Sequence, residues 1–306
     1  MGTYIVRRLA QAVFVLWLVS VVVFVLLRLA PSDPITIMLA ETASPQQIAE
    51  ARHKLGFDQP IYVQYVIFID HALHGDLGTS IFYKESALHV ILKALPNTLI
   101  LSAVAFLISL AVAIPVGILS AVYRDTFWDY FGVGLALIGQ ATPPFWLGIM
   151  LILVFSVNLR VLPTSGDFGP QYIIMPAVTL AAVLMPIVTR LVRSGMLDVL
   201  NEDYVRTARA KGLRERIVIG KHAFRNMLIP LVTVLGLQLS SLFGGAVIIE
   251  QVFGWPGVGQ LAVNAIYSRD YPVVQADVLV VSAAFVFLNL LVDLLYAQLD
   301  PRIRYQ

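Results

Sequence analysis

The length of the apolar runs constrains this chain more than any other feature. From Leu9 to Leu29 the only charged residue is Arg28. A helix of about 20 such residues crosses the roughly 30 Å of hydrocarbon in a bilayer. Further runs of the same kind lie at about Leu95–Tyr123, Phe131–Leu159, Ile173–Val192, Met227–Ile249 and Val273–Leu299. The third is interrupted by Pro143-Pro144, and the fourth carries Pro176 and Pro186. The chain is 58% hydrophobic and 13% charged, against about 25% charged in soluble domains, so it lacks the charge to cover a water-facing surface. The expected fold class is an all-α polytopic membrane protein with six transmembrane helices.

Lysine and arginine in the short loops orient the spans. With the N-terminus inside, that side collects Arg7, Arg8, Arg124, Arg302 and Arg304. It also collects Arg190, Arg193, Arg206, Arg209, Lys211, Arg214, Arg216, Lys221 and Arg225. The short outside loops hold Arg160 and Arg269. Arg28, at the outer end of span one, can snorkel. Both termini are thus expected in the cytoplasm, in a multi-pass inner (cell) membrane protein. Arg7-Arg8 before Leu9–Leu27 resembles a secretory leader, but the apolar stretch exceeds the 7–15 residues of such a core and no small-x-small site follows. It is expected to be an uncleaved first span. Val6 stands where a myristoylation motif needs Ser or Thr. The absence of cysteine excludes disulfides, thiolate metal sites and cysteine nucleophiles.

The expected organisation is a first span at 1–30, an external cap at 31–94 and a five-helix core at 95–306. The core contains a basic loop at 193–226 and an external segment at 250–272. In the cap, Ser44-Pro45-Gln46-Gln47 reads as a helix start with a Ser cap, Pro at the first position and Gln at the third. That helix continues over Ala49–Leu55 and ends at Gly56, and a second amphipathic helix is expected from about Tyr62 to His74.

The chain has no phosphate-cradling GxxxxGK[ST] and no HExxH. Gly254-Trp255-Pro256-Gly257-Val258-Gly259 is glycine-rich but follows a membrane run rather than a strand. His71 and His74 could share a helix face, yet a third ligand is lacking, so solvated histidines are expected and no metal. Ionisable residues within spans mark ion pathways. Here they are few: Asp293 is deepest, and Asp277 and Glu250 lie near outer ends.

The basic loop is the most informative stretch. In Asn201-Glu202-Asp203-Tyr204-Val205-Arg206-Thr207-Ala208-Arg209-Ala210-Lys211-Gly212-Leu213 acids come first and bases follow. That order suits the dipole of a helix beginning near Asp203, with Gly212 ending it in a left-handed turn. Tyr204, Val205 and Ala208 are expected on one face, and Arg206 and Arg209 on another. A second amphipathic helix is expected from Arg214, through Ile217, Lys221, Phe224 and Leu228. Physically the loop is either a basic surface on anionic headgroups or a knob for a cytoplasmic partner. Small Ala208 and Ala210 favour the knob.

The segment Tyr204–Leu213, followed by His222-Ala223-Phe224-Arg225-Asn226-Met227-Leu228-Ile229-Pro230, resembles the cytoplasmic signature of binding-protein-dependent ABC importer permeases. More narrowly it resembles the first, B-type permease of the dipeptide/oligopeptide/nickel branch. Arg206-Thr207-Ala208 stands where that family has an EAA triplet. The likeness extends along the chain in Leu29-Ala30-Pro31-Ser32-Asp33-Pro34, Leu55-Gly56-Phe57-Asp58-Gln59-Pro60 and Gly75-Asp76-Leu77-Gly78-Thr79-Ser80. It continues in Phe253–Gly259, Arg269-Asp270-Tyr271-Pro272 and Asp300-Pro301-Arg302-Ile303-Arg304-Tyr305.

The resemblance implies a permease half, with no catalysis and no cofactor of its own. It would pair with a second permease, two ATP-binding subunits holding ATP and Mg, and an external solute-binding protein delivering peptides. Glutathione or nickel chelates are the alternative cargo. Glu202, Asp203, Tyr204, Arg206, Thr207, Ala208, Arg209, Ala210, Lys211, Gly212 and Leu213 would form the coupling helix docked on an ATPase. Pro143, Pro144, Phe145, Pro186, Gln238 and Asp293 are candidates for the path or gate, since backbone breaks are tolerated where helices line a cavity or pack on protein. Phe253, Trp255, Pro256 and Asp270 would face the binding protein. An ion-coupled transporter with inverted repeats and a non-transporting scaffold are the rival classes.

Overall fold

The computed structural model describes residues 2–29 and 58–299, together with Ser44, Gln46, Gln47, Glu50 and His53. The helices are α1 (Gly2–Leu29), α2 (Ile61–Leu73), α3 (Ala87–Val122), α4 (Phe127–Ala141), α5 (Pro144–Leu151), α6 (Ile174–Leu200), α7 (Asp203–Ala210), α8 (Phe224–Phe253), α9 (Val258–Tyr267) and α10 (Tyr271–Leu299). Each apolar run falls on a helix, and among the described residues the only strand-like pairing is the isolated bridge Thr79–Ser86. Val6–Leu29, Ala87–Val122, Pro170–Leu200 and Tyr271–Val292 are each long and apolar enough to cross a membrane unbroken. The chain divides into two compact units, residues 1–96 with 257–290 and residues 97–256 with 291–306. The segment expected as a separate cap therefore shares its unit with α1, α9 and most of α10.

In the first unit the expected capping box is present. Ser44 N–H donates to Gln47 Oε1 (2.8 Å) and Gln47 N–H to Ser44 Oγ (3.4 Å). Gly56, and most of the helix expected to lead to it, lie outside the described residues. Helix α2 appears where an amphipathic cap helix was expected; it is largely apolar, with Gln64, Asp70 and His71 among its few polar residues, and packs on α1. Ser20 Oγ and Tyr65 Oη are 2.8 Å apart. Phe24 meets Tyr65 edge-on and Phe68 in a stack, with ring centroids 5.4 and 5.5 Å apart. Arg28 Nε donates to Gln64 Oε1 (2.8 Å) while its guanidinium lies 4.7 Å from the Phe24 ring centre. The aromatic pairing and the Arg28 contacts hold α2 against the last three turns of α1. Ala87, Val90 and Ile91 at the start of α3 form a small core with Val258, Leu261 and Ala265 of α9 and Val273 and Ala276 of α10.

The second unit is built around α6, whose buried face runs from Met175 to Met196. Small residues let its neighbours approach closely, as in other membrane bundles. A Cβ on Gly117 of α3 would lie 2.7 Å from Val192 Cβ, and one on Gly195 would lie 2.9 Å from Met227 Cγ of α8. Two prolines expected to break this span behave differently. Pro176 lies in the first turn of α6, where the helix needs no amide from it, so it breaks no hydrogen bond. Pro186 is interior and buried; it withholds the amide that the Ala182 carbonyl would otherwise accept. The Pro143-Pro144 pair acts as a joint. Pro143 is extended (ψ 132°), as the residue before a proline must be, and Pro144 takes the first position of α5. The Phe127–Ala141 and Pro144–Asn158 helices meet there at a bend of 103°.

Candidate functional site

Helix α7 is short, capped at one end and fixed from beneath. Glu202 takes the extended N-cap conformation without a side-chain cap (ψ 148°), and its carbonyl accepts from Val205 N–H (3.0 Å) and Arg206 N–H (3.2 Å). Asp203 lies in the first turn and Arg209 in the last, matching the dipole. Gly212 is left-handed, with φ +74°. Its N–H donates to Arg209 O (2.9 Å), and Leu213 N–H reaches back to Ala208 O (3.4 Å). These two bonds with the left-handed glycine make a Schellman stop.

The buried face of α7 differs from the expected one. Val205 and Ala208 are 0% and 5% exposed. They pack with Val218 and with Val199 and Leu200 at the end of α6. Tyr204, expected on that face, is exposed, as are Asp203, Arg206, Thr207, Ala210, Lys211 and Leu213. Ala208 therefore seats the helix on its own chain and is not presented to a partner. The amphipathic helix expected after Arg214 is also altered. A short helical turn, Glu215–Ile217, runs into a π-helical turn, Val218–Ala223, before α8. The wider turn shifts the buried phase, so Val218 and Ala223 are buried and Ile217 is exposed.

Sequence reasoning missed two ion pairs here. Arg209 Nη2 donates to Glu215 Oε1 (2.8 Å), with Nε 3.3 Å from both carboxylate oxygens. That bond holds the Glu215 carboxyl below its ordinary range and raises Arg209 above its own. The second pair joins α4 to α6. Arg193 Nε and Nη2 donate to Asp129 Oδ1 and Oδ2 at 2.7 and 2.8 Å, and Asp125 N–H donates to Oδ2 at 3.1 Å. Asp129 is 2% exposed. The available signal was an acid in Phe127-Trp128-Asp129, at the same end of its run as the basic loop.

The path candidates whose side chains are described lie on different helices. Pro143, Pro144 and the exposed Phe145 share the α4–α5 joint. Pro186 lies against α4, where a Cβ on Gly139 would be 3.4 Å from its ring and 3.6 Å from Ala182 O. Gln238 uses its carbonyl and Oε1 within α8, accepting from Ser241 Oγ (2.7 and 3.0 Å). Asp293 falls in α10, and its side chain lies outside the described residues.

Of the four residues expected to face a binding protein, three point inward, and Pro256 is half-buried. Phe253, Trp255 and Asp270 are buried. Gly254 turns left-handed (φ +58°) to close α8. A buried indole needs an acceptor, and Trp255 Nε1 donates to Asn97 O (3.0 Å) while Asn97 Nδ2 donates to Pro256 O (3.0 Å). In the other unit, Asp270 accepts from Ser80 Oγ (2.5 Å), Ile81 N–H (3.2 Å) and Phe82 N–H (3.1 Å). It organises the loop before α3. His71 lies 3.6 Å from Asp76, and His74 Nδ1 lies 2.7 Å from Asp70 O. Among the described residues no group of three or more His, Asp or Glu gathers to hold a metal.

Comparison with known proteins gives this geometry its context. Residues 113–305 match the model of the binding-protein-dependent transport system inner membrane component. Residues 1–102 match the N-terminal model of the same systems' membrane components. The chain is 42% identical over 306 residues, covering 100% of both chains, to the glutathione transport system permease protein GsiC of Salmonella typhimurium. It is 42% identical over 316 residues, again covering 100% of both, to the oligopeptide transport system permease protein AppB of Bacillus subtilis. The inward-facing MetNI methionine ABC transporter shares the fold, with a TM-score of 0.55, 18% identity, and coverage of 69% of this chain and 94% of that one. The chain belongs to the binding-protein-dependent transport system inner membrane components and is a permease subunit of an ABC importer.

Proposed function

We propose that this permease forms half of an import path for short peptides and that α7 is its coupling helix, docked on a cytoplasmic ATP-binding subunit. The observation that carries the proposal is the construction of α7. It is closed by a Schellman stop, seated on the end of α6 through Val205 and Ala208, and braced to the next turn by Arg209–Glu215. Such a part transmits a displacement, whereas a flexible loop does not. Its outward surface, Asp203, Tyr204, Arg206, Thr207, Ala210, Lys211 and Leu213, is left for the partner. The remaining machinery is a second permease, a second ATP-binding subunit and an external solute-binding protein, with ATP and Mg held by the ATP-binding subunits. Both termini are cytoplasmic, because the short loops on that side collect the arginines and lysines.

Equal identity to a permease named for glutathione and one named for oligopeptides supports peptide-sized cargo. Glutathione itself is the second reading, favoured by an alignment of 306 residues, the length of this chain, where the oligopeptide permease aligns over 316. Uptake of labelled glutathione, with tripeptides as competitors, separates the two. The coupling assignment is tested with Thr207→Glu combined with Ala210→Glu. Both positions are exposed, so the double variant leaves the fold intact and is expected to lose the co-purifying ATP-binding subunits. Full retention of those subunits and of uptake would show the assignment to be wrong. Ala208→Arg is not an equivalent test, because it disrupts packing within the chain.

A further inference from the structure

Helix α6 runs without interruption from Ile174 to Leu200, and α7 begins at Asp203. Arg193 lies two turns before the end of α6, close to where α7 is seated. Its partner Asp129 lies in the first turn of α4, the helix that ends at the 103° joint. The two nitrogens and two oxygens form parallel bonds of 2.7 and 2.8 Å, which fix the guanidinium and carboxylate in one plane. The carboxylate is oriented further by Asp125 N–H. Salt screens a pair this buried only weakly.

Between this pair and the Gly139–Pro186 contact, α4 and α6 run side by side and border a shared apolar cavity. The cavity, about 230 Å³, is lined by Gly132 and Ala136 of α4, Met185 and Thr189 of α6, Val116 of α3 and Leu147 of α5. Gly132 is one turn from Asp129, and Thr189 one turn from Arg193, so the pair lies one turn beyond the cavity. Helix α4 thus meets α6 at the Gly139–Pro186 contact and at the ion pair, with the cavity beside the segment between them. The tie nearer α7 is an ion pair rather than side-chain packing.

We propose that Asp129–Arg193 is the link that carries displacement of α7, through the end of α6, into the jointed span formed by α4 and α5. This rests on α7 being the coupling helix. Asp129 and Arg193 are positioning residues, and they act by making α4 travel with α6.

The test uses the complete importer complex in proteoliposomes. The chain has no native cysteine, so spin labels can be placed at Tyr130→Cys and Asp198→Cys, both exposed positions. Their separation is measured without nucleotide and after trapping with ATP and vanadate. With the link intact, the distance distribution is narrow and stays within about 2 Å on trapping, the scale of an interfacial helix shift. In D129N it broadens, or moves by about a helical turn, roughly 5 Å, while the ATP-binding subunits still co-purify. The reciprocal pair D129R/R193D restores the narrow distribution. Should D129N fail to accumulate, R193K keeps the charge but loses the second parallel bond, and a smaller broadening is expected. A D129N or R193K distribution identical to the unsubstituted one in both states overturns the link. So does an unsubstituted distance that itself changes by a full turn on trapping. If the unsubstituted chain captures no ATP-binding subunit, the coupling reading falls and the link's role with it. Capture of the ATP-binding subunits, with D129N and R193K distributions that match the unsubstituted one, removes the link alone.

Discussion

Replacing Gly212 with alanine isolates the contribution of one backbone conformation to α7. At φ +74° a Cβ on this residue would meet nothing within 4 Å, so the substitution creates no clash and removes no contact. What remains is the left-handed conformation, which costs an L-residue about 1–2 kcal/mol. Alanine also narrows the unfolded ensemble, which returns about 0.4–1 kcal/mol where the native conformation is compatible and less where it is not. The net cost is about 1 kcal/mol, or roughly a fivefold rise in the population with the stop undone. The bonds that open are Gly212 N–H to Arg209 O and Leu213 N–H to Ala208 O. Hydrogen exchange of the purified permease in nanodiscs reads this directly: exchange over residues 208–213 should rise about fivefold in Gly212→Ala, with α6 unchanged. Gly212→Asn should show a smaller effect, since asparagine tolerates this conformation. Affinity for the ATP-binding subunit should fall by a similar factor in Gly212→Ala. If alanine exchanges like glycine, or if asparagine is as damaging as alanine, the stop does not hold α7 in the way described.

The Arg209–Glu215 brace gives a pH dependence. The folded carboxyl is depressed, so its contribution is present above the unfolded value and is lost as pH falls through the folded one. Protection of α7 should be flat from neutral pH to about 5 and decline below about 4 by less than about 1 kcal/mol, since the pair is half exposed; Glu215→Gln should abolish that decline. Asp270→Ala leaves Ser80 Oγ and two backbone N–H groups without their acceptor. It should destabilise by about 3 kcal/mol, against about 1 kcal/mol for Ser80→Ala, read as thermal unfolding in detergent. A single cysteine at Lys211 should react with an impermeant maleimide only in inside-out vesicles. Labelling from the outside would reverse the topology.

The spans and the coupling loop were legible to different degrees. Long apolar runs identify α1, α3, α6, α8 and α10 because a membrane span needs no tertiary context to be apolar throughout. The Schellman stop was legible because glycine at a helix end is a local signal. Which side of α7 is buried was not. Val205 and Ala208 are buried because the π turn at Val218–Ala223 brings Val218 beneath them, and no local pattern announces a π turn. The π turn also explains why the spacing of Ile217, Lys221, Phe224 and Leu228 does not mark the buried face: a 3.6-residue period is the wrong ruler there.

The inward placement of Trp255 and Asp270 has a related cause. Short, polar and aromatic motifs between spans read as surface features, because loops usually are. Here each such residue carries a hydrogen-bonding group that a buried backbone requires. The Trp255 indole caps Asn97 O, and the Asp270 carboxylate collects Ser80, Ile81 and Phe82, more than 180 residues away in the chain. Sequence shows that such a residue is special but not whether its partner is another molecule or a distant part of its own chain. The same ambiguity hid Asp129–Arg193. Arg193 counted toward the positive side of the membrane, and that count needed no partner for it. The geometry gives it a second role: the charge expected to orient the span also ties α6 to α4, beside the helix on which an ATP-binding subunit would act.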